Sequence, residues 1–153
     1  MGKSVRRWGL LEVLGLIFTL YWPAHAAEPC KLMTVQQVSQ VLGAAVSPAP
    51  LGSTGCLWTG GSQRVSIVLR DATAWARITA SVPGITKTSV SGLGEAASIS
   101  GLDEAAHPGQ ENVLTLSVKQ GSTVIVLTVY GVKGSERQRT LEESLARLAL
   151  QNL

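Results

Sequence analysis

Histidine is scarce in these 153 residues: His25 and His107 are the two that occur. A serine or cysteine nucleophile needs a neighbouring base that is itself oriented by a third group. With His107 as the one histidine beyond the first 26 residues, and no G-x-S-x-G elbow, that relay has little to be built from. Cysteine stops at Cys30 and Cys56, too few soft ligands for a structural zinc site. Large aromatics are equally thin, because Trp8, Phe18, Tyr21 and Trp22 all fall near the N-terminus. Beyond it remain Trp58, Trp75 and Tyr130, so the core must come from Val, Leu, Ile and Ala. Asp71, Glu95, Asp103 and Glu104 offer carboxylates for glycoside cleavage, but no spacing places two of them across one cleft. Together these shortages argue against an enzyme.

What is present starts with a leader. MGKSVRR (1–7) carries Lys3, Arg6 and Arg7, WGLLEVLGLIFTLYW (8–22) is almost all apolar, and Ala24-His25-Ala26 closes the run. A basic head, a short apolar middle and an A-x-A end make a secretory signal peptide. The run is shorter than the ~20 residues that cross a bilayer as a helix. Glu12 interrupts it, and an uncleaved membrane anchor is the alternative reading. A cut after Ala26 separates a signal peptide, 1–26, from a single domain, 27–153. Lys3, Arg6, Arg7 and Glu12 leave with the leader, so the domain keeps ten basic and nine acidic residues. No basic stripe remains for nucleic acid or anionic lipid.

Cys30 follows that cut after Ala27, Glu28 and Pro29. A lipid anchor needs its cysteine at the cut itself, and a metal site built on Cys30 wants more soft ligands than Cys56 and His107. Two cysteines in an exported chain are most simply a disulfide. A Cys30–Cys56 bond would close a loop holding the first helix and add roughly 3–4 kcal/mol by loop-closure entropy. The expected location is periplasmic or secreted, with no stable membrane anchor after cleavage.

TVQQVSQVLG (34–43) predicts a short helix: Thr34 and Gln37 make a capping box, Val35, Val38, Val41 and Leu42 recur at helical spacing, and Gly43 stops it. AAVSPAPLGSTG (44–55) reads as a loop. CLWTG (56–60) and RVSIVLRD (64–71) read as a hairpin, and ATAWARITASV (72–82) as a helix after Asp71. VSGLGEAASIS (90–100) reads as a glycine turn and a short strand, and LDEAAHPGQEN (102–112) as a polar loop. VLTLSVKQ (113–120) and TVIVLTVYGV (123–132) form a second hairpin about Gly121-Ser122. SERQRTLEESLARLALQNL (135–153) is the closing helix, its Leu141, Leu145, Leu148 and Asn152 on one face. Its charges, Glu142 included, read as a solvated face, with Arg139–Glu143 and Glu143–Arg147 spaced as i,i+4 pairs. The predicted fold is α+β, an antiparallel sheet of about five strands with the N- and C-terminal helices packed on it.

Cys30-Lys31-Leu32-Met33-Thr34 leading a helix to Val41-Leu42-Gly43, then Cys56-Leu57-Trp58, Val90-Ser91-Gly92-Leu93-Gly94-Glu95-Ala96-Ala97 and a Leu-rich closing helix carry a likeness. In order and spacing they resemble the DUF3558-like family of exported, mainly actinobacterial proteins of unknown function. The resemblance implies an extracytoplasmic protein, often a lipoprotein, with two cysteines near these positions and no known catalytic residues. This chain departs from it by lacking a lipid-attachment cysteine at the cut.

The remaining candidates are local. Gly92-Leu93-Gly94-Glu95-Ala96-Ala97 matches G-x-G-x-x-A, but the fingerprint needs a strand before it and a helix after it, and a β-like run follows here. We expect a structural turn and no cofactor. Asp103, Glu104 and His107 are the residues to examine for a metal, although Pro108-Gly109 favours a solvated loop. Arg64 and Arg70 share a strand parity, and Trp58 lies across the hairpin. Two arginines with an aromatic on a wet face suit an anionic or sugar-like ligand; the alternatives are surface charge that shields an edge strand and a Trp58 that belongs to the core. The expected function is an exported, non-catalytic envelope or periplasmic domain binding a small ligand or protein partner. The alternative is a small exported metal-dependent hydrolase using the 102–112 loop.

Overall fold

A computed structural model describes residues 28–153; the expected signal peptide and its cut after Ala26 lie outside them. The described chain is α+β, built on one antiparallel sheet. Its strands are β1 (Ser47–Leu51), β2 (Gly55–Gly60), β3 (Gln63–Asp71), β4 (Ile85–Val90), β5 (Ala96–Leu102), β6 (Thr115–Gln120) and β7 (Thr123–Tyr130), and the order across the sheet is β1-β2-β3-β7-β6-β5-β4. Seven strands replace the expected five or so. The two that the sequence hid are the two edges. β1 falls in the stretch read as a loop and has every residue exposed. Its Pro48 and Pro50 are tolerated because an edge strand needs only one side of its ladder.

Both expected hairpins form, β2–β3 about Gly61-Ser62 and β6–β7 about Gly121-Ser122. Gly61 (φ 59°) and Gly121 (φ 56°) supply the left-handed backbone that a two-residue hairpin turn demands. The two hairpins join through β3 and β7, whose pairing runs from Arg64↔Tyr130 to Asp71↔Thr123 at the centre of the sheet.

Register then assigns the faces. Trp58, Val65 and Val129 stand in one row, and Cys56, Ile67, Leu127, Leu116 and Ile99 in the next. These side chains are buried beneath α1 (Val35–Leu42) and α3 (Ser135–Leu150), which also pack on each other. The capping box of α1 is present: Gln37 N–H donates to Thr34 Oγ1 at 3.1 Å and Thr34 N–H to Gln37 Oε1 at 2.8 Å. Cys30 and Cys56 are joined, their Cα atoms 5.0 Å apart, so the expected staple ties the segment before α1 to the underside of β2. None of the described helices is long and apolar enough to cross a membrane.

The opposite face is covered over only part of its width. Between β3 and the far edge the chain must pass over β7, β6 and β5, and it does so on this side. The expected helix over 72–82 shrinks to a 3-10 turn, Ala72–Ala74, and α2 (Trp75–Thr79). Asp71 is its N-cap as expected, its carboxylate accepting from Thr73 N–H at 2.9 Å, which holds the Asp71 carboxyl below its usual range. Ile78 and Thr79, β-branched, and Pro83-Gly84 leave no room for a longer helix. Over β1, β2, β3 and the end of β7 the second face stays open.

Candidate functional site

The three residues grouped as a ligand site separate in the fold. Trp58 points into the helix-covered core and is fully buried, while Arg64 and Arg70 project from the opposite, open face and are exposed. The alternation of side chains along a strand makes this unavoidable: Trp58 pairs with Val65, one residue from Arg64. Trp58 is therefore a core residue and no ligand platform. The aromatic that does stand beside Arg64 is Tyr130, its register partner on β7, 41% exposed.

Arg64 and Tyr130 close one end of a concavity of about 330 Å³ whose other walls are Leu51, Leu57 and Ser66. β1 turns Leu51, 46% exposed, toward it from the edge. Among the described residues the salt bridges are Lys31–Glu28, Lys119–Glu95, Arg139–Glu143 and Arg147–Glu143, so Arg64 and Arg70 take part in none. An uncommitted guanidinium beside a phenol and two leucines can fork onto a carboxylate or phosphate while the rings and methyls hold an apolar body. Arg70 belongs elsewhere. It lines a separate depression with Ser53, Thr54 and Asp71 at the other end of β3.

The 102–112 segment does not converge on a metal. Asp103 spends one carboxylate oxygen on Ala105 N–H at 3.0 Å, and its carbonyl accepts from Ala106 and His107 N–H, which winds the segment into a turn. The His107 ring lies against Gly84, where an added Cβ would meet Nε2 at 2.7 Å. Glu104 points outward, beside Glu111 and Lys133. No group of three His, Cys, Asp or Glu side chains gathers at ligand distance among the described residues. Gly92-Leu93-Gly94 is a turn between two antiparallel strands, β4 and β5. Gly94 is required there, since a Cβ would lie 2.6 Å from Lys119 O.

One polar site escaped the sequence reading. β6 begins at Thr115, so beside Val129 the central strand has lost its ladder partner. Two side chains of α3 take its place: Gln138 Nε2 donates to Val129 O at 2.7 Å, and Val129 N–H donates to Glu142 Oε1 at 3.1 Å. Glu142 is thus fully buried, a correction to its place on a solvated face. Burial pushes its carboxyl up to about 7, against the opposing effect of the Val129 and Gln138 donors. The signal was available, because Gln138, Glu142, Leu145 and Ala149 share one helical stripe. The i,i+4 pairs on the wet side form as expected, Arg139–Glu143 at 2.9 Å and Arg147–Glu143 at 3.5 Å.

Fold and site together define a disulfide-stapled α+β domain with one helix-covered sheet face and one partly open face. Compared with known proteins, the chain matches no protein-family model, no curated protein and no solved structure.

Proposed function

We propose that this chain is an exported, non-catalytic domain of the cell envelope or periplasm that binds a small anionic ligand, or an acidic group of a protein partner, on its open sheet face. The observation that carries the reading is the pairing of Arg64, free of any salt bridge among the described residues, with Tyr130 across β3 and β7, next to Leu51 and Leu57. An anion with a short apolar body satisfies both halves of that surface. Export is supported by the basic, apolar and A-x-A pattern of residues 1–26 and by the Cys30–Cys56 bond, which suits an oxidising compartment. Kinship with the DUF3558-like family belongs to the same proposal and rests on the order and spacing of the segments quoted above.

Two measurements test it. The denatured mass of protein taken from the extracytoplasmic fraction should correspond to a chain beginning at Ala27 and be two hydrogen atoms lighter than the dithiol; a chain retaining its first 26 residues refutes the cut, and absence of the protein from that fraction refutes export. Calorimetric titration with octanoate, with 1-octanol as the uncharged control, tests the site. Arg64→Gln should weaken octanoate binding at least about tenfold, since a hydrogen bond to a charged group is worth ~1.5–3 kcal/mol. Equal binding of octanol, or full affinity in Arg64→Gln, sinks the assignment.

A further inference from the structure

A second recess lies on the same face of the sheet but under the crossover, between α2 and strands β4 and β5. It encloses about 600 Å³, within the range of ~300–1,000 Å³ typical of small-molecule sites. Its wall is Trp75, half-buried, and its floor is small: Ala96 and Ser98 stand where larger side chains would fill the space, while Ala97 between them turns its methyl to the helix-covered face. The rim carries the hydroxyls of Ser81 and Ser89.

Charge narrows the occupant. Lys87 is the one charged residue of the lining, and its ammonium is already committed. Nζ donates to Ile78 O at 2.6 Å and to Ala80 O, tying down the last turn of α2. Two of its three N–H donors are spent there, so the ammonium is held at the end of α2 and offers a carboxylate or phosphate one donor at most. A purely apolar molecule fares no better, because it would strip water from serine hydroxyls and give them no partner. What fits a half-buried indole beside a small floor and a hydroxyl-bearing rim is a ring that is apolar on its faces and polar around its edge. The electron-rich face of the indole favours contact with polarised C–H groups, while the serines exchange hydrogen bonds with ring hydroxyls.

We infer that the recess between α2 and the β4–β5 strands is a binding site for a neutral saccharide, stacked on Trp75 and hydrogen-bonded through Ser81, Ser89 and Ser98. It is separate from the Arg64–Tyr130 concavity and does not depend on it. Sugar sites of this open kind are weak, so a dissociation constant near ~1 mM is expected.

The exported protein reports on the site by its own fluorescence. Trp58 is sealed in the core and Trp75 borders the recess. Titration with chitotriose and with maltotriose should give, for at least one, a saturable shift in emission and a matching heat by calorimetry. Trp75→Ala should abolish both, and Ser89→Leu, at an exposed rim position, should weaken binding at least about tenfold. Affinity should not change between ~0.05 M and ~0.5 M salt, because no charge is engaged. If Trp75→Ala fails to fold by circular dichroism, Ser89→Leu decides alone. No heat and no shift with either sugar to about 10 mM, wild-type affinity in Ser89→Leu, or affinity that falls with salt overturns the assignment.

Discussion

The two tryptophans beyond the leader lie on opposite faces of one sheet, and they divide the labour of the molecule. Trp58 is sealed under α1 and α3 in a row with Val65 and Val129. Trp75 stands over a recess on the far side, its neighbours serines and alanines. The covered face holds the disulfide, two clusters of buried apolar side chains and a buried carboxylate. The other face holds the open concavity, the recess, and Arg64 and Arg70. One face of the sheet is spent on stability, which leaves the other free to be incompletely covered.

Substitutions on the covered face should therefore cost most. Trp58→Ala empties the largest core position, and large-to-small changes of this kind cost about 3–5 kcal/mol. The unfolding midpoint in urea should fall accordingly. Its Nε1 has no hydrogen-bond partner in the core, so Trp58→Phe should cost much less than Trp58→Ala. Equal losses from the two would show that the indole N–H does make a bond. Replacing Cys30 and Cys56 together by serine should remove about 3–4 kcal/mol, read as a drop of ~10 °C or more in thermal midpoint.

The third prediction sharpens the comparison by its sign. Glu142 has a folded-state carboxyl raised to about 7 by burial, above the ~4.3 of an unfolded chain. The native state then binds the extra proton between those values. Its contribution is fully present below about pH 4.3 and is lost as pH rises through about 7. Glu142→Gln keeps an acceptor for Val129 N–H without the charge. It should stabilise the protein at pH 8 by a few kcal/mol and flatten the fall in stability between pH ~4.5 and ~7. An unchanged pH profile in the variant would mean that water reaches the carboxylate. The smallest effects belong to the open face. Arg64→Ala and Trp75→Ala should each move stability by no more than ~0.5–1 kcal/mol while abolishing the binding proposed at each. A loss as large as that of Trp58→Ala would show that the second face is structural after all.

The central elements were legible because burial leaves a pattern. The alternation Val65, Ile67, Leu69, the continuous run of β7 and the capping box of α1 each appear where expected. The two edge strands were not legible, and for a common reason. β1 reads SPAPL and is wholly exposed; β4 reads ITKTSV and buries only Val90 below the exposure of its neighbours. An edge strand is recruited by its neighbour's free N–H and C=O groups, not by apolar side chains of its own. The candidate site was half legible. Parity sets Arg64 on a wet face, but the aromatic beside it is Tyr130, which lies 66 residues away and which only the β3–β7 register brings alongside. Glu142 was missed because a charge on a helix reads as solvated until something shows that a strand ends opposite it.

The sequence by itself determined the α+β class, the two glycine-turned hairpins, both ends of α1 and the cysteine pairing. Each of these rests on local sterics, on hydrophobic period or on there being only two thiols. Which residues share a face, where β6 stops short and what covers the second side were decided by tertiary structure. Those features depend on which strands become neighbours, and pairing between distant segments is settled by the collective burial of a whole face rather than by any one stretch of chain.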